Sequence, residues 1–169
     1  NKSVQKLFKI GDNLALTTAG LVGHAQSLAR TLAAEVSLFE LRRGDSMTVR
    51  GAATLTANIL SGRPHWVQLL IVGVDSEGGS VYSIDSAGGS IPDSYCATGS
   101  GSPYMYGVLE DGFKENMTRD AAVALAARAL SASAQRDAAS GNGMDLAVIT
   151  AKDGYVPVEQ SEIAAVLKK

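Results

Sequence analysis

The sequence predicts an α+β protein in which antiparallel sheets lie stacked between helical layers. Three observations point to that class. Segments of helical periodicity come as consecutive pairs, short β-rich hairpins separate the pairs, and the single-helix alternation of a parallel doubly wound sheet is missing. At 169 residues the chain fits one domain, 1–169, and is long enough to bury a core without disulfide or metal staples.

The opening stretch Lys6 to Ala19, KLFKIGDNLALTTA, reads as two strands joined at Asp12-Asn13, residues that favour turns. Gly20 to Gly23 leads into a segment with Leu28, Leu32, Val36 and Phe39 on one face. That spacing predicts a helix of about five turns, closed by Arg42, Arg43 and Gly44. Ser46 or Thr48 is placed to cap a second helix carrying Val49, Ala53, Thr56 and Leu60, which Gly62-Arg63-Pro64 stops. WVQLLIVGVD and SVYSID then form a strand pair around Ser76-Glu77-Gly78-Gly79.

Tyr95 to Thr98 reads as a further short strand, and Pro103 to Phe113 as a helix begun by its proline. Thr118 and Asp120 open an alanine-rich helix that reaches about Arg136, whose small side chains allow close approach to a neighbour. Met144 to Thr150 is a strand of the buried type, Lys152-Asp153-Gly154 a turn, Tyr155 to Val158 the last strand and Gln160 to Leu167 the closing helix.

Composition removes several function classes. Fifteen Lys and Arg stand against 17 Asp and Glu, a net charge of -2, and no basic stripe emerges along the chain, so nucleic acid is not an expected partner. The single cysteine, Cys96, suits a reducing, cytoplasmic compartment and excludes an intrachain disulfide framework. The most apolar run, Val67 to Val74, is too short to span a bilayer, so no membrane is expected. No G-x-S-x-G elbow or GxxxxGK[ST] loop occurs, and Gly99 and Gly101 are followed by Tyr104 where a dinucleotide fingerprint needs a third glycine. His24, His65 and Cys96 hold no metal-ligand spacing, so neither a metal nor a cofactor is expected.

Small-residue turns remain: Thr17-Thr18-Ala19-Gly20, Ser86 to Ser90, Thr98 to Pro103 and Gln135 to Gly141. Each alone is ordinary loop composition. Asp137 and Ser140, three residues apart at a helix end, are spaced to face the same way, and an acid beside hydroxyls is suited to hold a cationic amine.

AGLVGHAQ, VQLLIVGVD, YSIDSAGGS, ATGSGSPYMYGVLE and QRDAASG leading to DLAVIT resemble, in this order and spacing, the β subunits of archaeal-type 20S proteasomes, from Lys6 to the last helix. The resemblance implies the N-terminal-nucleophile hydrolase fold, a four-layer αββα sandwich of two antiparallel sheets between helix layers. It implies a threonine-type endopeptidase in which the amino-terminal threonine attacks the peptide carbonyl and its own amine acts as base. On the K-L-F match the nearby lysine is Lys6, whose charge lowers the pKa of the neighbouring amine and hydroxyl. Ser100, Asp137 and Ser140 fall on positions that hold the amine and place the lysine, and Gly20 on the one whose backbone N–H forms the oxyanion hole. Thr18, Ala19, Val22 and Gln26 match substrate-binding positions, with the substrate adding as a strand beside Thr18 to Gly20.

The implied partners are other β subunits in seven-membered rings, proteasome α subunits, unfolded polypeptide substrates and, through the α rings, a regulatory ATPase. His24 departs from the Asp usual in relatives, and Arg63-Pro64-His65-Trp66 from a tyrosine- and methionine-rich stretch. The nucleophilic threonine, two leading strands and the carboxylate partner of the lysine have no counterpart in the sequence. The expectation is a mature chain longer by about 27 residues, or roughly 3 kDa at about 110 Da per residue. Residues 1–169 alone are then inactive, and the alternatives are a non-catalytic structural β-type subunit, an assembly intermediate, or an unrelated small-molecule-binding sandwich.

Overall fold

The first hairpin forms where alternating apolar residues flank Asp12-Asn13: β1 (Leu7–Gly11) and β2 (Leu14–Gly20) pair antiparallel, with Leu7 opposite Thr17 and Phe8 opposite Leu16. The protein is represented by a computed structural model that describes residues 6–20, 22–62, 67–85, 89–136 and 143–168. These fall into two compact units, one drawn from within Val4–Cys96 and Ile149–Tyr155, the other from within Ala97–Val148 and Val156–Lys169.

In the first unit β2 is followed by α1 (Val22–Arg43) and α2 (Val49–Gly62), then by β3 (Val67–Asp75), β4 (Gly78–Ile84) and β5 (Ser90–Asp93). The strands make one antiparallel sheet in the order β1-β2-β3-β4-β5. Leu28, Leu32 and Val36 recur at i+4 on α1 and are buried against Leu14 and Leu16 of β2 and Leu69 and Ile71 of β3, while Val49, Ala53 and Leu60 supply the α2 side of the same core. Strand residues two apart share a face, so Leu14 and Leu16, like Leu69 and Ile71, point together into it.

Local chemistry sets the element ends. Gly44 takes φ 75° and its N–H donates to the Glu40 carbonyl at 2.8 Å, closing α1 in the left-handed conformation glycine favours. The Thr48 hydroxyl accepts from the Gly51 N–H at 3.0 Å, and the Asp75 carboxylate at the end of β3 accepts from the Val49 N–H at 3.0 Å. Two donors at the start of α2 are therefore satisfied, and a carboxylate sits at the positive end of the helix dipole. Between Ser46 and Thr48, the hydroxyl with this capping bond is that of Thr48.

The strand expected over 95–98 does not form; those residues are half-buried loop, and the edge strand is β5, five residues earlier. Pairing of Ser83 with Ile91 and Tyr82 with Pro92 makes β5. Its proline has no N–H for a ladder, which a sheet edge tolerates and a period-based reading takes for a break.

The second unit holds α3 (Ser102–Gly112), α4 (Arg119–Arg136) and α5 (Gln160–Leu167). Val123 of α4, Ile163 of α5 and Val158 form its buried cluster, with Met144, Leu146 and Val148 packed against them. The Thr118 hydroxyl accepts from the Ala121 N–H at 3.2 Å, capping α4 as expected. Strands β6 (Ala147–Thr150) and β7 (Gly154–Pro157) pair in a separate two-stranded sheet, each shorter at its outer end than the apolar run that predicts it.

Arg119 grips Glu162 through both guanidinium nitrogens and also reaches Asp120, tying the start of α4 to α5. The hydrogen bond and charge of Arg119 hold the Glu162 carboxyl below its ordinary value. A depressed folded-state pKa stabilises above the unfolded glutamate value of about 4.3, and that contribution is lost as pH falls through the folded value. The melting-temperature difference between the protein and its Glu162→Gln variant is therefore expected to be small at neutral pH, as for any exposed pair, and to close as pH falls below about 4.3. A gap unchanged down to acid pH counts against it.

Candidate active site

The first unit gathers one set of the expected residues at one end of its sheet. Lys6 immediately precedes β1, and its carbonyl accepts from the Thr18 N–H at 3.0 Å. Antiparallel pairing thus sets the start of β1 beside the last residues of β2. Thr18 is buried, Ala19 half-buried and Lys6 exposed. The ladder to β3 runs three residues past the last β1 pair, through Thr18 opposite Leu69 and Ala19 opposite Gln68 to Gly20 opposite Val67.

In a strand the N–H groups of alternate residues point to opposite edges. The Thr18 N–H is directed at β1, so Ala19 turns its N–H toward β3 and Gly20 turns its N–H back to the β1 side. There it lies past Lys6, the first described residue on that side. Two residues after Gly20, α1 begins. Gln26 and His24 are exposed on its first turns, while the Val22 side chain lies outside the described ones.

The second unit holds Ser100. The Ser102 N–H donates to the Gly99 carbonyl at 3.1 Å, and Gly101 has φ -87° and ψ 4°. This is a type I turn with Ser100 at its second position, exposed, directly before α3. Gly99, entering the turn, takes φ 97°. Asp137 and Ser140 follow the last residue of α4 and lie outside the described residues. Arg63, Pro64, His65 and Trp66, where a departure from the family pattern is expected, also lie outside them. Among the described residues no group of three or more His, Cys, Asp or Glu is placed to hold a metal ion.

A model of the family described as "Proteasome subunit" matches residues 1–149. The chain belongs to the proteasome subunit family. A proteasome subunit beta of Methanobrevibacter ruminantium is 46% identical over 169 residues, covering all of this chain and 81% of the relative. The proteasome subunit beta of Thermoplasma acidophilum is 48% identical over 172 residues, with all of this chain and 81% of the relative covered. That of Ferroglobus placidus is 46% identical over 173 residues, covering all of the chain and 82% of the relative. This chain is accordingly a β-type subunit of the 20S proteasome, a protease family whose members assemble into a proteasome complex. The two antiparallel sheets and five helices among its described residues agree with the α+β sandwich class that the element order predicts. No helix of the described residues is long and apolar enough to cross a membrane.

Among residues near the site, Gly101 is one that sequence reasoning does not separate from the small-residue loop around it. The signal that marks it is steric and needs the neighbouring helix to be seen.

Proposed function

We propose that the complete protein is a catalytic proteasome β subunit, a threonine endopeptidase that hydrolyses unfolded polypeptides. The nucleophile in this reading is the hydroxyl of an amino-terminal threonine, with its own amine as base. Lys6 supplies the fixed positive charge that keeps amine and hydroxyl toward their deprotonated forms. Ser100, Asp137 and Ser140 hold the amine and place the lysine. The Gly20 N–H stabilises the oxyanion of the tetrahedral intermediate, and substrate adds as a strand beside Thr18, Ala19 and Gly20, with Val22 and Gln26 at its side-chain pocket.

One observation supports this reading most. The bond from the Thr18 N–H to the Lys6 carbonyl puts the lysine at the end of β2 and, by strand alternation, aims the Gly20 N–H to the same side. The Lys6 backbone and a backbone donor brought to one strand end fit the arrangement that acyl transfer to a hydroxyl nucleophile requires. Assembly with α subunits and with further β subunits in seven-membered rings, fed through the α rings by a regulatory ATPase in the cytoplasm, completes the proposal. The test is hydrolysis of a fluorogenic peptide by the complete protein assembled with its α partner. Turnover is expected, and an assembled but inert complex would instead favour a structural, non-catalytic subunit.

A further inference from the structure

Gly101 stands at the third position of the Ser100 turn, and its φ of -87° and ψ of 4° are angles that any L-residue adopts. Backbone conformation therefore gives no reason for glycine here. Space does. A Cβ added to Gly101 would lie 1.9 Å from the Ser133 Oγ and 3.0 Å from the Ser133 Cβ, well inside van der Waals contact. Gly101 is buried and Ser133 is only 4% exposed, and even with the hydroxyl turned aside the Ser133 Cβ at 3.0 Å remains tighter than ordinary van der Waals contact. Ser133 lies on α4, four residues ahead of Asp137 in the chain.

The bare backbone of Gly101 thus seats the Ser100 turn directly on the last turns of α4. Its two onward hydrogen bonds, from the Tyr104 N–H at 3.1 Å and the Met105 N–H at 3.3 Å to the Gly101 carbonyl, fix the same residue as the start of α3. Gly101 is held from both sides, and Ser100 moves with it.

We propose that Gly101 is a positioning residue: its missing side chain, matched to the hydroxymethyl of Ser133, sets how far the Ser100 hydroxyl stands from the end of α4. This rests on the reading of Ser100, Asp137 and Ser140 as the shell around the terminal amine. Any side chain at position 101 lifts the turn off α4 and carries Ser100 with it. Displacements of about 1 Å at a catalytic constellation cost up to roughly 100-fold in rate.

The test uses the complete protein assembled with its α partner. Gly101→Ala is expected to lower kcat for a fluorogenic peptide on the order of 10- to 100-fold with KM unchanged. Adding Ser133→Gly, which removes both atoms in the way, is expected to bring the double variant back to the kcat of Ser133→Gly alone. If Gly101→Ala prevents assembly, Ser133→Thr crowds the same gap by one methyl from the α4 side and should show the same selective kcat loss. A normal kcat in whichever of these two variants assembles, or a Gly101→Ala loss that Ser133→Gly leaves in place, overturns the proposal. Ser100→Ala separates the shell reading from the positioning role. Full turnover in Ser100→Ala removes the shell reading itself, whereas a slow Ser100→Ala beside a normal Gly101→Ala removes the positioning role alone.

Discussion

Lys6→Ala in the complete, assembled protein is expected to lower peptide hydrolysis on the order of 10²- to 10⁴-fold, the range for removing one acid–base or electrostatic element from a reacting centre. Assembly should survive, because Lys6 is exposed and holds β2 through its backbone carbonyl, which alanine keeps. The remaining activity should also change its pH dependence. A nearby positive charge favours the neutral form of an amine and lowers its pKa, so removing the charge raises that pKa and moves the rising limb of the profile to higher pH. Rates measured from about pH 6 to 10 on wild type and variant decide the matter. Retained turnover, or a loss with an unmoved profile, returns Lys6 to an ordinary strand-end lysine.

Gly73→Ala is expected to be the most damaging single methyl in the first unit. Gly73 lies in β3 opposite Leu14, and a Cβ there would stand 2.3 Å from the Asn13 carbonyl oxygen, 2.8 Å from a Leu14 methyl and 3.2 Å from a Val49 methyl. The nearest obstacle is backbone and does not rotate aside. Asn13 is itself fixed three ways: its carbonyl accepts from the Val74 N–H at 3.1 Å, and its side-chain amide donates to the carbonyls of Met47 at 3.1 Å and Val74 at 2.8 Å. Moving the β1–β2 turn to admit a methyl breaks these bonds together and opens the core at Leu14. Overpacking of a close-packed core costs typically about 1–3 kcal/mol, and the lost hydrogen bonds bring the expected destabilisation to about 3 kcal/mol or more. Denaturant unfolding followed by circular dichroism measures it. Gly79→Ala is the control, since the nearest non-neighbour atom is 3.9 Å away, and a loss of equal size there would show that the sheet rejects any methyl.

Most elements are legible in the sequence because their signals are local. The i+4 recurrence of Leu28, Leu32 and Val36 requires a helix with one buried stripe, and Asp12-Asn13 between alternating apolar residues requires a turn. Caps read well for the same reason, Thr48 and Thr118 each lying three residues before the N–H they accept. What escapes is non-local. Pro92 joins a strand only because Tyr82 of β4 lies beside it, and no period within 90–93 carries that information. The Asp75 cap on α2 joins residues 26 apart in the chain, beyond any window-based reading.

The candidate site divides along the same line. Lys6, Gly20 and Ser100 stand out through the resemblance of whole segments. The physical link between the first two is a strand-pairing bond, visible once Thr18 is seen to reach Lys6. The reason for glycine at 101 is hidden in the sequence because the loop GSGS has the composition of an ordinary turn. Only the approach of Ser133 from α4 distinguishes this glycine as sterically required.

The most direct measurement is titration of the assembled complete protein with a hydroxyl-directed electrophile, reading fluorogenic-peptide turnover and the intact mass of this subunit together. A threonine endopeptidase loses turnover in proportion to a single adduct, and that adduct maps to a threonine at the subunit's mature amino terminus. An assembled complex that turns over peptide without acquiring that adduct, or that carries the adduct with turnover undiminished, would contradict the assignment.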